Sequence, residues 1–301
     1  MDASRRELLF GAGALAATRL TAAPQAGISL AAWSLSGSFF LGRWRLLELP
    51  GIMRDKLGIE GLEHVNQFFE NPTLSYLQKL NRACAASGVR QLLLMVDAEG
   101  STAALDKNER RQAAIAHRKW VDIAHYLGCH SIRCNMYGGL ENWKEDRDLV
   151  DRAAETFHDI LNYAAGSGLN VLVENHGRAS SDPDILVALV KKVNHPKFGL
   201  LVDLGNWNPG EDRYAAVRKT IPYGRALSVK GTYGANLNPA YDMEKLMRTA
   251  LEGGYSGWWA IEVTPRREAG SKPTADEQFQ REIETVREVK GIVERVVLAK
   301  G

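Results

Sequence analysis

Charged and amide side chains follow several short apolar runs in this chain, always at the carboxyl end of the run. The run Val171-Leu172-Val173 stops abruptly in Glu174, Asn175 and His176. Runs of aliphatic residues without alternation are typical of strands covered on both faces, as in parallel sheets. Four further runs end in or carry polar groups, namely Arg133 with Asn135, Asp203, Lys230 and Glu262. Because parallel sheets place ligands at this edge, the pattern predicts one shared site.

Three of these groups are carboxylates, Glu174, Asp203 and Glu262. Carboxylates brought together repel, and one must hold a proton unless a cation lies between them. Their hard oxygen atoms favour Mn²⁺ or Mg²⁺, and an added imidazole from His176 would admit Zn²⁺ or Co²⁺. The alternative is a metal-free polar site in which the acids pair with Arg133 and Lys230.

The basic side chains at the strand ends have chemistry of their own. His176 lies two residues after Glu174 and is a candidate ligand or general base, or else a loop histidine bonded to backbone. Lys230 could hold a carbonyl or hydroxyl oxygen or transfer a proton, or simply form a salt bridge to Asp203 or Glu262. Arg133 is a suitable clamp for sugar hydroxyls or an anion.

Further candidates for substrate binding lie beside the strand ends. Asn206 and Trp207 follow Asp203, and Glu63 lies near the end of the second apolar run. Aromatic rings at Trp33, Trp207 and Tyr233 could stack on a sugar ring, or could equally well be packed under loops.

The elements that must position these residues alternate regularly between strand and helix. Strands are predicted at residues 28–35, 59–65, 91–97, 131–136, 169–177, 198–203, 226–230 and 258–263. Helices are predicted at residues 43–56 (broken at Pro50-Gly51), 72–87 (with Pro72 in its first turn), 106–127, 149–165, 183–193, 212–220, 243–252 and 278–298. Eight such units predict a single (β/α)8 TIM barrel over residues 27–301, with a doubly wound open sheet as the alternative.

The composition is sufficient for an ordinary globular core. The chain has 301 residues, of which 45% are hydrophobic and 25% charged, with a net charge of +2. This balance argues against a dedicated nucleic-acid binder. Its three cysteines, Cys84, Cys129 and Cys134, lack the paired spacing of a disulfide framework or zinc knuckle.

The first 26 residues differ in kind from the rest. Arg5-Arg6 precedes a mild apolar run over residues 10–17 and an alanine-rich stretch. A twin arginine, a weak apolar region and small residues predict a Tat-type signal peptide, with an amphipathic helix as the alternative. Export to the periplasm or another extracytoplasmic space would follow, without a lasting membrane span.

Three segments carry a family resemblance: VENHGRASSDPDILVALVKKVNHPKFGLLVDLGNW, DRYAAVRKTIPYGRALSVKGTYG and YDMEKLMRTALEGGYSGWWAIEV. Together, the motifs ENHG, SSDP, DxGN, SxK and GYxGxxxIE resemble the sugar phosphate isomerase/epimerase family, the xylose isomerase-like TIM barrels. Tat signals are also common in the proteins that resemble this subgroup of the family.

The resemblance implies a metal held by Glu, Asp, His and Glu on strands five to eight. The matching positions here are Glu174, Asp203 and Glu262, whereas Ser228 stands at the strand-seven position that is often His. Asn206 replaces a second frequent His. The resemblance therefore leaves the fourth ligand to His176 or to water.

The leading hypothesis is an exported isomerase or epimerase for a non-phosphorylated sugar or keto-sugar. Lys230 or a metal would polarise a carbonyl, while His176 or a carboxylate such as Glu262 removes the adjacent proton.

Alternatives are a keto-sugar or keto-glycoside lyase or hydrolase, and a sugar-binding barrel without catalysis. A DNA repair endonuclease on the same barrel would need a histidine-rich zinc site and a basic face, which the sequence lacks. No nucleic-acid partner is expected, and an oligomer is compatible with the sequence.

Overall fold

A closed barrel of parallel strands forms the centre of the protein. The computed structural model describes residues 27–233, 241–265 and 270–298, so the predicted signal peptide lies outside the described residues. Each strand pairs with the next in sequence, and the eighth pairs with the first. This closure confirms the (β/α)8 barrel and excludes the open doubly wound sheet.

The strands match the predicted apolar runs closely, and most of their residues are buried. The bounds are β1 Ile28–Ala31, β2 Gly61–Val65, β3 Arg90–Val96, β4 Ser131–Cys134, β5 Asn170–Glu174, β6 Phe198–Asp203, β7 Gly224–Tyr233 and β8 Trp259–Pro265. The first strand is shorter than predicted because Ala32–Leu35 turn into a 3-10 helix. The seventh is longer, since it pairs with β8 as far as Tyr233 and Pro265.

Helices surround the barrel. The α-helices are α1 Ser36–Phe40, α2 Leu49–Ile52, α3 Leu74–Ser87, α4 Lys107–Leu127, α5 Leu149–Ala164, α6 Pro183–Val193, α7 Arg213–Thr220, α8 Met243–Glu252 and α9 Ala275–Val293. Shorter 3-10 segments lie at Ala32–Leu35, Leu46–Glu48, Asn66–Phe68, Trp143–Glu145, Arg178–Ser181 and Ile221–Tyr223, and π-helical turns at Met53–Leu57 and Glu294–Leu298. In the described part of the chain, no helix combines the length and apolar character needed to cross a membrane.

Helix starts follow local capping chemistry. Side chains of Asp182 and Asp212 accept hydrogen bonds from the first backbone N–H groups of α6 and α7. Thr274 and Glu277 form a reciprocal capping box, which starts α9 earlier than predicted. The prediction that Pro72 lies in the first helical turn is wrong, because Thr73 caps α3 and leaves Pro72 outside it.

The apolar core lies between the barrel and the helices. Phe157 of α5, for example, packs on Phe198 of β6 with ring centroids 5.0 Å apart, and both are buried. Cys84, Cys129 and Cys134 are buried free thiols. With the outer faces of the strands held in this way, their polar ends converge at the carboxyl mouth of the barrel.

Candidate active site

Three buried carboxylates meet at the mouth of the barrel. Glu174 ends β5, Asp203 ends β6 and Glu262 lies within β8. One oxygen atom from each lies within 4.8 Å of the others, and none of the three residues is more than 5% exposed. Residues spaced widely along the chain are thus brought to one small volume, which the pattern of strand ends predicted.

Asp203 is held more tightly than the other two acids. Its Oδ1 accepts backbone N–H groups of Gly205 at 2.7 Å and Asn206 at 3.0 Å, and its Oδ2 accepts the side-chain amide of Asn206 at 2.8 Å. Asn175 bonds both to the N–H and to the C=O of Asp203, at 2.8 Å each. Burial raises the pKa of Asp203 well above its ordinary value, and repulsion from Glu174 and Glu262 adds to the rise although Lys230 opposes it.

Lys230 lies on β7 between two of the acids. Its ammonium donates a hydrogen bond to Glu262 Oε1 and lies 3.7 Å from Asp203 Oδ2. Burial lowers its pKa, but Glu262 and Asp203 more than compensate, so the net shift is upward and Lys230 stays charged. Burial raises the pKa of Glu262, but Lys230 brings it below its ordinary value, with help from the Ser228 hydroxyl at 3.1 Å.

Arg133 of β4 links Glu174 to Asp97, the residue that follows β3. Its Nε lies 2.8 Å from Glu174 Oε2, and a terminal nitrogen donates to Asp97 Oδ1 at 2.6 Å. Asn135 donates to the same Asp97 oxygen at 2.7 Å. Asp97 is a site residue that the sequence analysis missed, although it directly follows the last residue of β3. Arg133 therefore orients two carboxylates and is only 3% exposed.

His176 lies at the rim of the mouth rather than among the carboxylates. Its Nδ1 is 2.8 Å from the hydroxyl of Tyr137, and its backbone N–H donates to Ser180. The partly exposed ring is therefore bonded to a second titratable side chain and not to the backbone, and a role of His176 as general base stays a prediction. Tyr137 was not singled out from the sequence, since nothing in the spacing connects it to His176.

Glu63 lies deeper in the barrel than the other predicted residues. Its Oε1 accepts the Ser29 hydroxyl at 2.9 Å, while Oε2 is buried without a hydrogen-bond partner among the described residues. Burial raises the pKa of Glu63 to about 8. The side chain also borders a cavity of about 640 Å³ at the opposite, amino end of the barrel. Glu63 is therefore too deep in the barrel for direct contact with a substrate that is bound at the mouth.

The aromatic candidates are placed differently from one another. Trp207 is 5% exposed and belongs to the apolar core, so its ring offers little surface on which a sugar could stack. Trp33 is partly exposed and stacks on Phe68 with ring centroids 5.9 Å apart. The side chain of Tyr233 lies outside the described residues. Asn206, in contrast, touches both Asp203 and Glu174, the latter at 3.3 Å.

The donor set fits a hard divalent cation. Glu174, Asp203, Glu262 and Asp97 carry four negative charges when ionised, against two positive charges on Arg133 and Lys230. Glu174 Oε2 is buried and accepts no well-aligned hydrogen bond from the described residues. A metal ion touching Glu174, Asp203 and Glu262 would relieve the repulsion that raises the pKa of Asp203.

Solved structures of low sequence identity share this fold. D-allulose 3-epimerase from Methylomonas sp., solved in complex with D-allulose, superposes with a TM-score of 0.69 at 14% identity, over 91% of this chain and 98% of that chain. The 3-keto-D-glucoside 4-epimerase from E. coli superposes with a TM-score of 0.63 at 12% identity, over 81% and 94% respectively. A xylose isomerase-like TIM barrel protein from Mycobacterium smegmatis, in complex with magnesium, superposes at 0.59 and 18% identity, over 87% and 97%.

A search of curated proteins finds no significant match to the sequence. The family model described as Xylose isomerase-like TIM barrel matches residues 55–289, which is most of the chain and includes every predicted site residue except Trp33. With a closed eight-stranded barrel and polar residues gathered at its carboxyl mouth, the chain belongs to the xylose isomerase-like TIM barrel family.

Proposed function

We propose that this protein is a sugar isomerase or epimerase that removes a proton next to a carbonyl group of a non-phosphorylated sugar or keto-sugar. The observation that carries the proposal is the convergence of Glu174, Asp203 and Glu262 with Lys230 at the barrel mouth. A carboxylate beside a fixed ammonium provides both a base for the proton and a positive charge for the developing enolate oxygen.

In the proposed reaction, Glu262 and Lys230 act at the carbonyl and its neighbouring carbon. Lys230 keeps the pKa of Glu262 below its ordinary value, so Glu262 is a carboxylate that can accept the proton. The ammonium of Lys230 would then donate a hydrogen bond to the carbonyl oxygen as negative charge develops there. Removal of the proton leaves an enediol or enolate, which must be reprotonated to give product.

The other residues orient the substrate and return the proton. Arg133 and the amide of Asn206 would bind hydroxyl groups, since both already donate to oxygen atoms at the mouth. His176 with Tyr137 offers a proton from the rim, away from Glu262, which an epimerase needs to protonate the opposite face. A divalent ion held by Glu174, Asp203 and Glu262 would supply Lewis-acid polarisation of a substrate oxygen.

Two structural neighbours support the choice of sugars. One is described as a D-allulose 3-epimerase bound to D-allulose, and the other as a 3-keto-D-glucoside 4-epimerase. Both are described as epimerases of sugars or keto-sugars. At 12–14% identity they support the proposal through the shared barrel alone.

Proton exchange with solvent tests the proposal directly. The mature protein, supplied with Mn²⁺ or Mg²⁺, should incorporate deuterium from D₂O into at least one member of a panel of keto- and aldo-sugars, as measured by NMR. Glu262→Gln should abolish the exchange, whereas Glu244→Gln on the surface of α8 should leave it intact. Product analysis separates isomerisation from elimination, because a lyase would release an unsaturated sugar. Tight sugar binding without exchange would instead indicate a barrel that binds sugars without turning them over.

We also propose that residues 1–26 direct Tat-dependent export. The twin arginine at Arg5-Arg6 supports this proposal. Expression with and without replacement of both arginines by lysine, followed by fractionation, tests it. Export that persists in the lysine variant would overturn Tat dependence without affecting the proposed chemistry.

A further inference from the structure

A second cleft opens beside the catalytic mouth. Its volume is about 560 Å³, and it lies between the segment after β1 and the segment that leads into α9. Much of its wall is apolar, with Trp33, Phe40, Leu41, Pro265 and Pro273 contributing. Apolar clefts with a few polar groups at their edge are typical of binding sites for small molecules.

Hydrogen bonds connect this cleft to the strand that carries Glu262. The hydroxyl of Ser34 donates to the Ile261 carbonyl at 2.9 Å and accepts the Val263 N–H at 3.0 Å, and so it bonds to the residues on either side of Glu262. Trp33, the residue before Ser34, lines the cleft. Pro265 lines it as well and follows Glu262 by three residues on the same strand, a distance of about 10 Å. The cleft therefore begins at the carboxyl end of β8, on the same side of the barrel as the carboxylate site.

Aromatic rings form an organised platform on one side of the cleft. Trp33 lies parallel to Phe68, and the ring of Phe40 meets Trp33 edge-on at 6.0 Å. Phe40 is 60% exposed and Leu41 51% exposed, although large apolar side chains usually avoid such contact with water. Because Phe68 holds one face of the indole, the aromatic surface of the cleft is pre-organised for a flat apolar ligand.

Positive charge borders the same cleft. Lys272 and Arg281 line it; in the described ranges neither has a carboxylate within 4 Å, although Arg281 interacts electrostatically with Glu277 one turn earlier on α9. Cations beside an aromatic platform suit a ring that bears an acidic substituent. The chemistry of the cleft thus differs from that of the barrel mouth, where carboxylates predominate and hydroxyl groups would be recognised.

We propose that the cleft binds the aromatic aglycone of a glycoside whose sugar ring occupies the carboxylate site, with an acidic group on the aglycone directed toward Lys272 and Arg281. This inference rests on the proposed function, and it identifies the substrate as an aryl glycoside whose sugar ring carries a ketone, since proton removal requires a carbonyl that a simple glycoside lacks. The aglycone would add affinity through Trp33 and Phe40 without taking part in proton removal.

The first test compares methyl, phenyl and 4-carboxyphenyl glycosides of one sugar that carries a ring ketone, by calorimetry. We expect the phenyl glycoside to bind about tenfold more tightly than the methyl glycoside, the scale of one aromatic contact. The 4-carboxyphenyl glycoside should bind more tightly still. Phe40→Ala should remove the advantage of the phenyl group, and Arg281→Gln that of the carboxylate, while neither variant changes binding of the methyl glycoside. Leu105→Ala, an exposed apolar residue outside the cleft, is the matched control.

A second probe, 4-hydroxybenzoate, separates failure of this inference from failure of the proposed function. Saturation-transfer NMR should detect its binding to the wild type and a loss of signal in Phe40→Ala. Equal affinity for methyl and phenyl glycosides, or binding of 4-hydroxybenzoate that is unaffected by Phe40→Ala, would overturn the aglycone site and leave the sugar chemistry intact. Binding of 4-hydroxybenzoate without any binding of a glycoside would overturn the aryl glycoside as the substrate, whereas the proposed function is overturned only if no sugar in the panel exchanges a proton with solvent.

Discussion

Lys230 and Glu262 are register partners on neighbouring strands, and the ammonium of one donates a hydrogen bond to the carboxylate of the other. The lysine thereby occupies part of the space in which a metal ion would meet Glu262. Lys230 and a metal consequently compete for the same carboxylate, while both favour its ionised form.

Replacing Lys230 should separate these two effects. In Lys230→Met, we expect proton exchange to fall by about 10²- to 10⁴-fold, because the enolate loses its nearest positive charge. The affinity for Mn²⁺ should rise by about tenfold or more, since an ammonium close to Glu262 and Asp203 no longer repels the ion. Kinetics and calorimetric titration with Mn²⁺ measure the two changes.

Lys219→Met is the control for that experiment, because Lys219 pairs with Asp184 on the surface. It should leave both quantities unchanged. Weaker Mn²⁺ binding in Lys230→Met would show that the lysine assembles the metal site instead of competing for it.

Metal content should depend on the carboxylates of the proposed ligand set. Asp203→Asn and Glu174→Gln should each lose stoichiometric Mn²⁺, and with it the rise in melting temperature that the metal gives the wild type. Elemental analysis and thermal unfolding measure both. Asp184→Asn, an exposed carboxylate, should behave as the wild type does. A wild type without metal and without stabilisation by any divalent ion would contradict the proposed ligand set.

Arg133 should be essential for stability as well as for substrate orientation. It is buried and contacts Glu174 and Asp97, so Arg133→Met leaves two carboxylates without their counterion. Breaking a buried ion pair in this way costs about 3–5 kcal/mol in the free energy of unfolding. Chemical denaturation measures the loss, and Arg111→Met on the exposed face of α4 should change it by less than about 0.5 kcal/mol. A loss of similar size in both variants would argue against a structural role for the ion pairs.

His64 should make the fold sensitive to acid. It is fully buried on β2 beside Gln91, and burial lowers its pKa from 6.5 to about 4. As the pH falls, His64 takes up a proton in the unfolded chain at a higher pH than in the folded protein. The contribution of neutral His64 to the free energy of unfolding is therefore fully present above pH 6.5 and is lost as the pH falls toward 4. The shift corresponds to about 3 kcal/mol.

In His64→Gln, the free energy of unfolding should fall less steeply than in the wild type between these two pH values. Equal slopes in the two proteins would refute this effect, and His158→Gln on α5 serves as the control.

The sequence by itself determined the architecture and the neighbourhood of the site. Aliphatic runs alternating with amphipathic segments are sufficient to indicate a parallel barrel, because local periodicity reports which faces must be buried. The positions of Glu174, Asp203 and Glu262 at strand ends then follow, since parallel strands bring their carboxyl ends to one side. Local rules were less successful for β1, which turns into a 3-10 helix after Ala31, and for Pro72, which a capping threonine places outside its helix.

Only the tertiary structure decided which side chains become partners. The pairing of Lys230 with Glu262 follows from the register between β7 and β8, and the place of Asp97 beside Arg133 from that between β3 and β4. Register, barrel closure and burial depend on contacts between residues far apart in the chain, which no local pattern records. The same long-range packing buried Trp207 and placed Glu63 deep in the barrel. It left Trp33, in contrast, at the wall of an open cleft.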